Sequence, residues 1–277
     1  MTSKTEREIF TRVATSLLLL ATLSLVPVTA IANVLIAVII DDLGDSLGKG
    51  RRALALPGEV TLAVLPHTRW GQSLANEARQ RQREVILHLP MANLANMPLG
   101  PKPLTHELTR LEFRDRLIDA LAKVPGARGI NNHTGSALTQ EPRAMAWLMH
   151  ELREHGLYFI DSRTTHKSVA NRVAGEHAVL ASERDVFLDN ERTFDAIDRQ
   201  FEKLIGIARS RGAAIGIGHP HPETLEYLEM RLPKLAIEEV RLVPTSHLIA
   251  YQSIARSQLV RMKAPLPPAT LASVAPL

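Results

Sequence analysis

Cysteine is absent from the 277 residues. That absence excludes disulfide stapling and any thiolate-bound metal, so an exported form of this chain must be held together by its core. Aromatic residues are scarce, at 4%, and no run of five or six basic residues occurs. The formal charge of +4 and the pI near 9.6 therefore come from arginines scattered among acids. A nucleic-acid binder concentrates its basic residues on one face and interleaves stacking aromatics, so this composition argues against that class. Long apolar runs are missing too, apart from "VATSLLLLATLSLVP" near the start. That run follows Lys4, Arg7 and Arg12 and leads into the small-x-small triplet Ala30–Ala32. It is short for a membrane span and reads as an export signal, residues 1–32, cut after Ala32, leaving no stable membrane span. Residues 33–262 then suit one large α/β domain. "KAPLPPATLASVAPL", residues 263–277, is rich in proline and alanine and reads as a disordered tail.

Short apolar runs alternate with helical patterns through the rest of the chain. Strands are expected at 34–40, 60–65, 84–88, 127–132, 157–161, 178–181 with 186–189, 213–218 and 240–243. The first, "VLIAVII", is apolar at every position, as in a strand covered on both faces. Between them, "HELTRLEFRDRLIDALAKV" puts Leu108, Leu111, Leu117, Ile118, Leu121 and Val124 on one stripe before Pro125 and Gly126. "EPRAMAWLMHELREHG" stops at the cap glycine Gly156. "ERTFDAIDRQFEKLIGIARSRG" offers Phe194, Ile197, Phe201, Leu204 and Ala208 and stops at Gly212, and a further helix begins at Pro222. The alternation predicts βα units with right-handed crossovers and a mainly parallel sheet. Seven or eight units favour a closed or nearly closed barrel.

In such folds the loops after strand C-termini build the site. Asp41 and Asp42 end the first strand and His88 the third. Asn132 closes the fourth and His133 and Ser136 follow it; Asp161 and Arg163 stand at and after the end of the fifth, and His219 and His221 follow the seventh. Two adjacent carboxylates at the mouth of a buried strand are costly unless a positive group compensates them. Alternation along a strand also gives the two different surroundings. A cation bound by one, with the other beside it as a base, relieves the cost. Histidine and carboxylate without thiolate suit Zn²⁺ or a related divalent ion. Taken singly, each element has a plainer explanation: an N-cap pair, a core histidine, a polar turn, an Asp161–Arg163 ion pair. Four such loops in one chain are hard to credit to chance. The remaining histidines, His67 among them, read as surface or structural.

The motifs "IIDDLG", "LHLPM", "NNHTGS", "IDSRTT" and "GHPHPET" resemble those of the divergent polysaccharide deacetylases of bacterial envelopes. These are relatives of metal-dependent carbohydrate deacetylases built on a distorted (β/α) barrel of seven or eight strands. The resemblance implies Asp41 as catalytic base and Asp42 as metal ligand, with the metal held by Asp42, His88 and His133 or by a subset of these with His219, and it makes His219 the candidate general acid. It implies hydrolysis of an acetyl amide or ester on a cell-envelope glycan. Asp161 would orient a reacting group and Arg163 would assist the oxyanion, while Asn132, Ser136 and His221 would meet the sugar. The better-studied relatives carry two metal-binding histidines four residues apart. Here Ala92 stands four after His88 and Ala137 four after His133. An inactive barrel that binds a glycan or a partner protein is therefore the alternative expectation.

Overall fold

The computed structural model describes residues 34–263, with side chains described through Gln258. The predicted signal, residues 1–32, and all of the predicted tail beyond Lys263 lie outside the described residues. Nine strands are present among them: β1 (Val34–Leu43), β2 (Thr61–Val64), β3 (Val85–Met91), β4 (Gly129–Thr134), β5 (Tyr158–Asp161), β6 (Ala181–Glu183), β7 (Val186–Phe187), β8 (Ala213–Gly218) and β9 (Val240–Leu242). Eight helices accompany them: α1 (Leu47–Leu54), α2 (Gly71–Gln80), α3 (Arg110–Lys123), α4 (Pro142–Glu154), α5 (Ala170–Glu176), α6 (Phe194–Arg211), α7 (Pro222–Arg231) and α8 (Thr245–Lys263).

All pairings are parallel, in the order β6-β5-β4-β3-β2-β1-β8-β7. The short β9 pairs with the first three residues of β1, on whose last residues β2 pairs. Only Arg184 and Asp185 separate the two ends of this path. Arg184 N–H donates to the Asp161 carbonyl on β5, and Asp185 N–H to the Ile215 carbonyl on β8, each at 2.9 Å. One stretch of chain thus leaves one end of the sheet and joins the other, which curls the sheet into a distorted (β/α) barrel.

Period-two alternation sorts the strand residues into two apolar layers. Leu35, Ala37, Ile39, Ala63, Ile86, Ile160, Ile215 and Ile217 fill the interior, together with Val243 just after β9 and Leu248 and Ile249 from the start of α8. Ile36, Val38, Ile40, Leu62, Leu87, Ile130 and Phe159 face the helical layer. Each fully buried Leu, Ile or Phe contributes roughly 1.5–3 kcal/mol, so both faces of β1 hold the barrel together.

The helices differ from expectation in detail. In α3, Thr109 and Glu112 form a reciprocal capping box, so the helix starts later than the apolar pattern began. Its buried positions are Phe113, Leu117 and Ala120, followed by Val124, while Leu111 is 64% exposed. The stripe is therefore turned toward Phe113. In α6, Ile197, Phe201, Leu204 and Ala208 are buried as expected, but Phe194 in the first turn is exposed. The glycine stops hold: Gly156 and Gly212 have φ of 64° and 84°. Helices α1, α5 and α8 carried no signal strong enough to be expected. No helix among the described residues is long and apolar enough to cross a membrane.

Candidate metal centre

The interior columns continue upward into polar residues. Two steps beyond Ile39 stands Asp41, beyond Ile86 stands His88, beyond Ile160 stands Ser162, and beyond Ile217 stands His219. Asn131, paired in register with Ile160 and His88, faces inward as well, and His133 follows it. Five strands thus bring polar side chains to one rim without exposing the aliphatic floor beneath.

Asp42 breaks the alternation. The β1–β2 register shifts between Ile40 and Leu43, and Asp42 takes φ 55°. This left-handed conformation, which Asp tolerates better than most residues, lets two successive carboxylates reach the same rim. Gly44 follows at φ 139°, where a Cβ would sit 2.0 Å from Thr68 Oγ1. The glycine of the "IIDDLG" motif is needed for that close approach of the two rim loops.

Three ligand atoms converge. Asp42 Oδ1 lies 3.1 Å from His88 Nε2 and 2.9 Å from His133 Nδ1, and the two nitrogens are 3.0 Å apart. His88 Nδ1–H donates to Asn131 Oδ1 at 2.8 Å, which turns the Nε2 lone pair toward the other two atoms. Asp42 Oδ1 is shielded from solvent and has no hydrogen bond of proper geometry among the described residues. A near-equilateral triangle with edges of 2.9–3.1 Å is spanned by bonds of ~2.0–2.2 Å to one common point. The residues present fit a divalent cation held by two imidazoles and one carboxylate. No i+4 histidine is required, because β3 and β4 each deliver one from a neighbouring strand.

Asp41 sits beneath this triangle, 2% exposed. Its Oδ1 accepts from Asn131 Nδ2 at 2.7 Å, and its Oδ2 lies 3.7 Å from His88 Nε2. Burial raises its pKa above the usual carboxylate value, against the lowering pull of His88 and His219. Burial would raise Asp42 as well, but His133 and His88 at hydrogen-bond distance outweigh it and hold that carboxyl well below the ordinary range. The adjacent aspartates are thus driven in opposite directions.

On the far side, His219 Nε2 lies 4.0 Å from Asp42 Oδ2. Its Nδ1–H donates to Asp189 Oδ1 at 2.9 Å, while Asp189 Oδ2 accepts from the His219 N–H and from Thr224 Oγ1. Burial would lower the imidazole, but the Asp189 contact and the charges of Asp41 and Asp42 push it up to about 9. Phe187 stacks on His219 at 6.1 Å between ring centroids. Asp189, His219 and His221 also form a possible ligand group. Hydrogen bonds already occupy both oxygens of Asp189, so this group is a positioned histidine rather than an open cation site.

Asp41, Asp42, His88, His133 and His219 therefore meet. Other expected site residues do not join them. Asp161 shares the outward side of Phe159 and accepts from the Arg163 N–H at 2.8 Å. The Arg163 guanidinium points to Glu183, 3.5 Å away. Asn132 faces outward too, with its oxygen on the Ser162 N–H and its nitrogen on the Thr134 carbonyl. Ser136 accepts from the Leu94 N–H and secures the loop after β3. His221 stands at the N-cap position of α7 beside His219, with ring centroids 5.7 Å apart and no capping bond from its side chain. Asn131 and Asp189 were not anticipated. Asp189 ends the expected 186–189 strand and met the same strand-end criterion as Asp41. Nothing in "GINN" distinguishes the inward Asn131 from the outward Asn132.

The pattern of the divergent polysaccharide deacetylases matches residues 38–249. An uncharacterized protein of Haemophilus influenzae is 36% identical over 213 residues, covering 77% of this chain and 76% of its own. An Escherichia coli K12 protein, YibQ, is 36% identical over 214 residues, covering 77% and 67%. Among solved structures, an uncharacterized protein of Agrobacterium tumefaciens C58 superposes with a TM-score of 0.75 at 26% identity, over 77% of this chain and 88% of that one. With nearly all of the barrel matched, the chain belongs to the divergent polysaccharide deacetylase family.

Proposed function

We propose that the protein is an exported, metal-dependent deacetylase that removes acetyl groups from a cell-envelope glycan. Family membership supports the reaction class, and the N-terminal sequence supports export. The observation that carries the reading is the triangle of Asp42, His88 and His133, with Asp41 beneath it and His219 opposite. Those three residues would hold the divalent ion, Zn²⁺ by the chemistry of the donor set. When bound, such an ion polarises an acyl oxygen and lowers the pKa of a water toward ~7.

The remaining work falls to the chain's own groups. Asp41, with its raised pKa and its Oδ1 fixed by Asn131, takes a proton from the attacking water through Oδ2. His219, pushed up to about 9, is charged at neutral pH and gives a proton from Nε2 to the leaving amine or alcohol. Asp189 keeps Nδ1 as the inward donor, so Nε2 faces the substrate. A cleft of about 380 Å³ opens beside Asp42 and His133, lined by Asp45, His67, Thr68, Arg69 and residues 98–101, and receives the glycan.

The test is metal analysis of protein purified without added metal, followed by acetate release from N-acetylglucosamine oligomers and acetylated peptidoglycan fragments. A co-purifying divalent ion and acetate from wild type but not from Asp41→Asn are expected. Metal without acetate from any acetylated glycan would replace this reading with a glycan-binding module.

A further inference from the structure

The substrate cleft has two walls from different βα units. One is the turn after β2, with His67, Thr68 and Arg69; the other is the loop after β3, with residues 98–101. Chain connectivity fixes neither wall against the other. Asp119, in the middle of α3, reaches both. Its Oδ2 accepts from Lys102 Nζ at 2.6 Å and lies 3.5 Å from His67 Nε2. The helix beneath is anchored by its capping box and by buried Phe113, Leu117 and Ala120, so the carboxylate stands on a rigid base.

A second observation falls on the same two residues. His67 and Lys102 both have left-handed backbone, with φ of 59° and 49°. Non-glycine residues keep such conformations only where their surroundings hold them, and they gather where binding needs a fixed shape. His67 Nε2 is shielded from solvent and makes no hydrogen bond among the described residues; Asp119 is the acid that faces it. One carboxylate thus bonds Lys102, next to the end of one wall, and stands against the buried ring nitrogen of His67 in the other.

We propose that Asp119 is a positioning residue, a clasp that sets the width of the substrate cleft through His67 and Lys102. What fills the cleft rests on the deacetylase reading; the clasp itself rests on geometry. The test pairs a structural readout with a kinetic one. In Asp119→Ala, amide hydrogen exchange should quicken in residues 66–69 and in 98–103 together. With N-acetylglucosamine oligomers, KM should rise by about tenfold while kcat stays within about twofold, the pattern of lost binding rather than lost chemistry. Asp119→Glu should restore both readouts. Arg172→Ala removes a surface pair with Glu176 outside the cleft lining and should change neither. Quickened exchange in one wall only, or a fall in kcat with KM unchanged, overturns the clasp. Loosening of both walls in a protein that releases no acetate supports the clasp and sinks the deacetylase reading alone.

Discussion

The two ends of the barrel both hold buried polar groups, and they treat them in opposite ways. At the foot, Glu84 accepts from Thr61 Oγ1, Tyr158 Oη and the Ser246 N–H at 3.0, 2.9 and 3.1 Å. Thr245 Oγ1 closes the net by donating to Thr61 Oγ1 at 2.8 Å. Donors there outnumber acceptors, and the net ties the starts of β2, β3, β5 and α8 together. At the rim, carboxylates and imidazoles crowd within about 3 Å, and Asp42 Oδ1 has no hydrogen bond of its own. A saturated buried net stabilises; a convergent one with an open acceptor is arranged for something that arrives later. Burial alone would not have separated them.

The sharpest way to break this contrast is to exchange acid for amide at each end. Asp41→Asn at the rim should lower kcat by about 10²–10⁴-fold, the usual weight of a general base. It should leave the melting temperature at or above that of wild type, because a buried carboxyl with a raised pKa gives way to a neutral group. Glu84→Gln at the foot should do the reverse, lowering stability by about 1–3 kcal/mol with kcat unchanged. Acetate release and thermal unfolding on both variants decide it; parallel losses at both ends would erase the distinction.

A smaller effect is expected one shell out. Asn131 holds His88 Nδ1 and Asp41 Oδ1 at once. Asn131→Ala should weaken metal binding by about 10–100-fold, the range for lost partners of ligating histidines. Competition with a chelator measures it. A foot residue of similar burial, such as Thr61, should have no influence on that titration.

The pH profile sharpens the rim itself. His219 must be protonated to act as acid, so activity should fall as pH rises through about 9. Asp41 must be ionised to act as base, so activity should also fall in acid, at a pH above the ordinary aspartate value of 3.8. Asp189→Asn removes the strongest raising influence on His219 and should move the alkaline limb down toward 6.5. Stability follows the same sign: the raised imidazole stabilises fully below its unfolded value and loses that contribution as pH climbs through about 9. An alkaline limb that ignores Asp189 would assign it to another group.

How far the rim could be read from the sequence depends on phase. Asp41, His88, His133 and His219 were legible because each stands at the end of an expected strand, and parallel strands gather their C-termini. Facing direction was not legible. A strand covered on both faces has no polar phase, so Asn131 and Asn132 looked alike, and Asp161 looked as inward as Asp41. The register that settles this comes from neighbours such as Ile160 opposite Asn131. The left-handed turn at Asp42 was equally hidden: alternation alone would have sent it outward. His67 reads as surface or structural from the sequence, because its partner Asp119 lies 52 residues away on a helix face read only for apolar positions.

The smallest expected change probes the foot. Tyr158 is buried, its hydroxyl pKa is raised first by burial and then by Glu84, and it donates to that carboxylate. Tyr158→Phe keeps the ring against the interior layer and removes one donor from an acceptor that retains Thr61 and Ser246. The loss should be about 0.5–1.5 kcal/mol, one hydrogen bond's worth, with KM and kcat untouched. Denaturant unfolding resolves that difference. A change in KM would mean that the foot reaches the cleft through β5, and the two ends of the barrel would then have to be treated as one coupled unit.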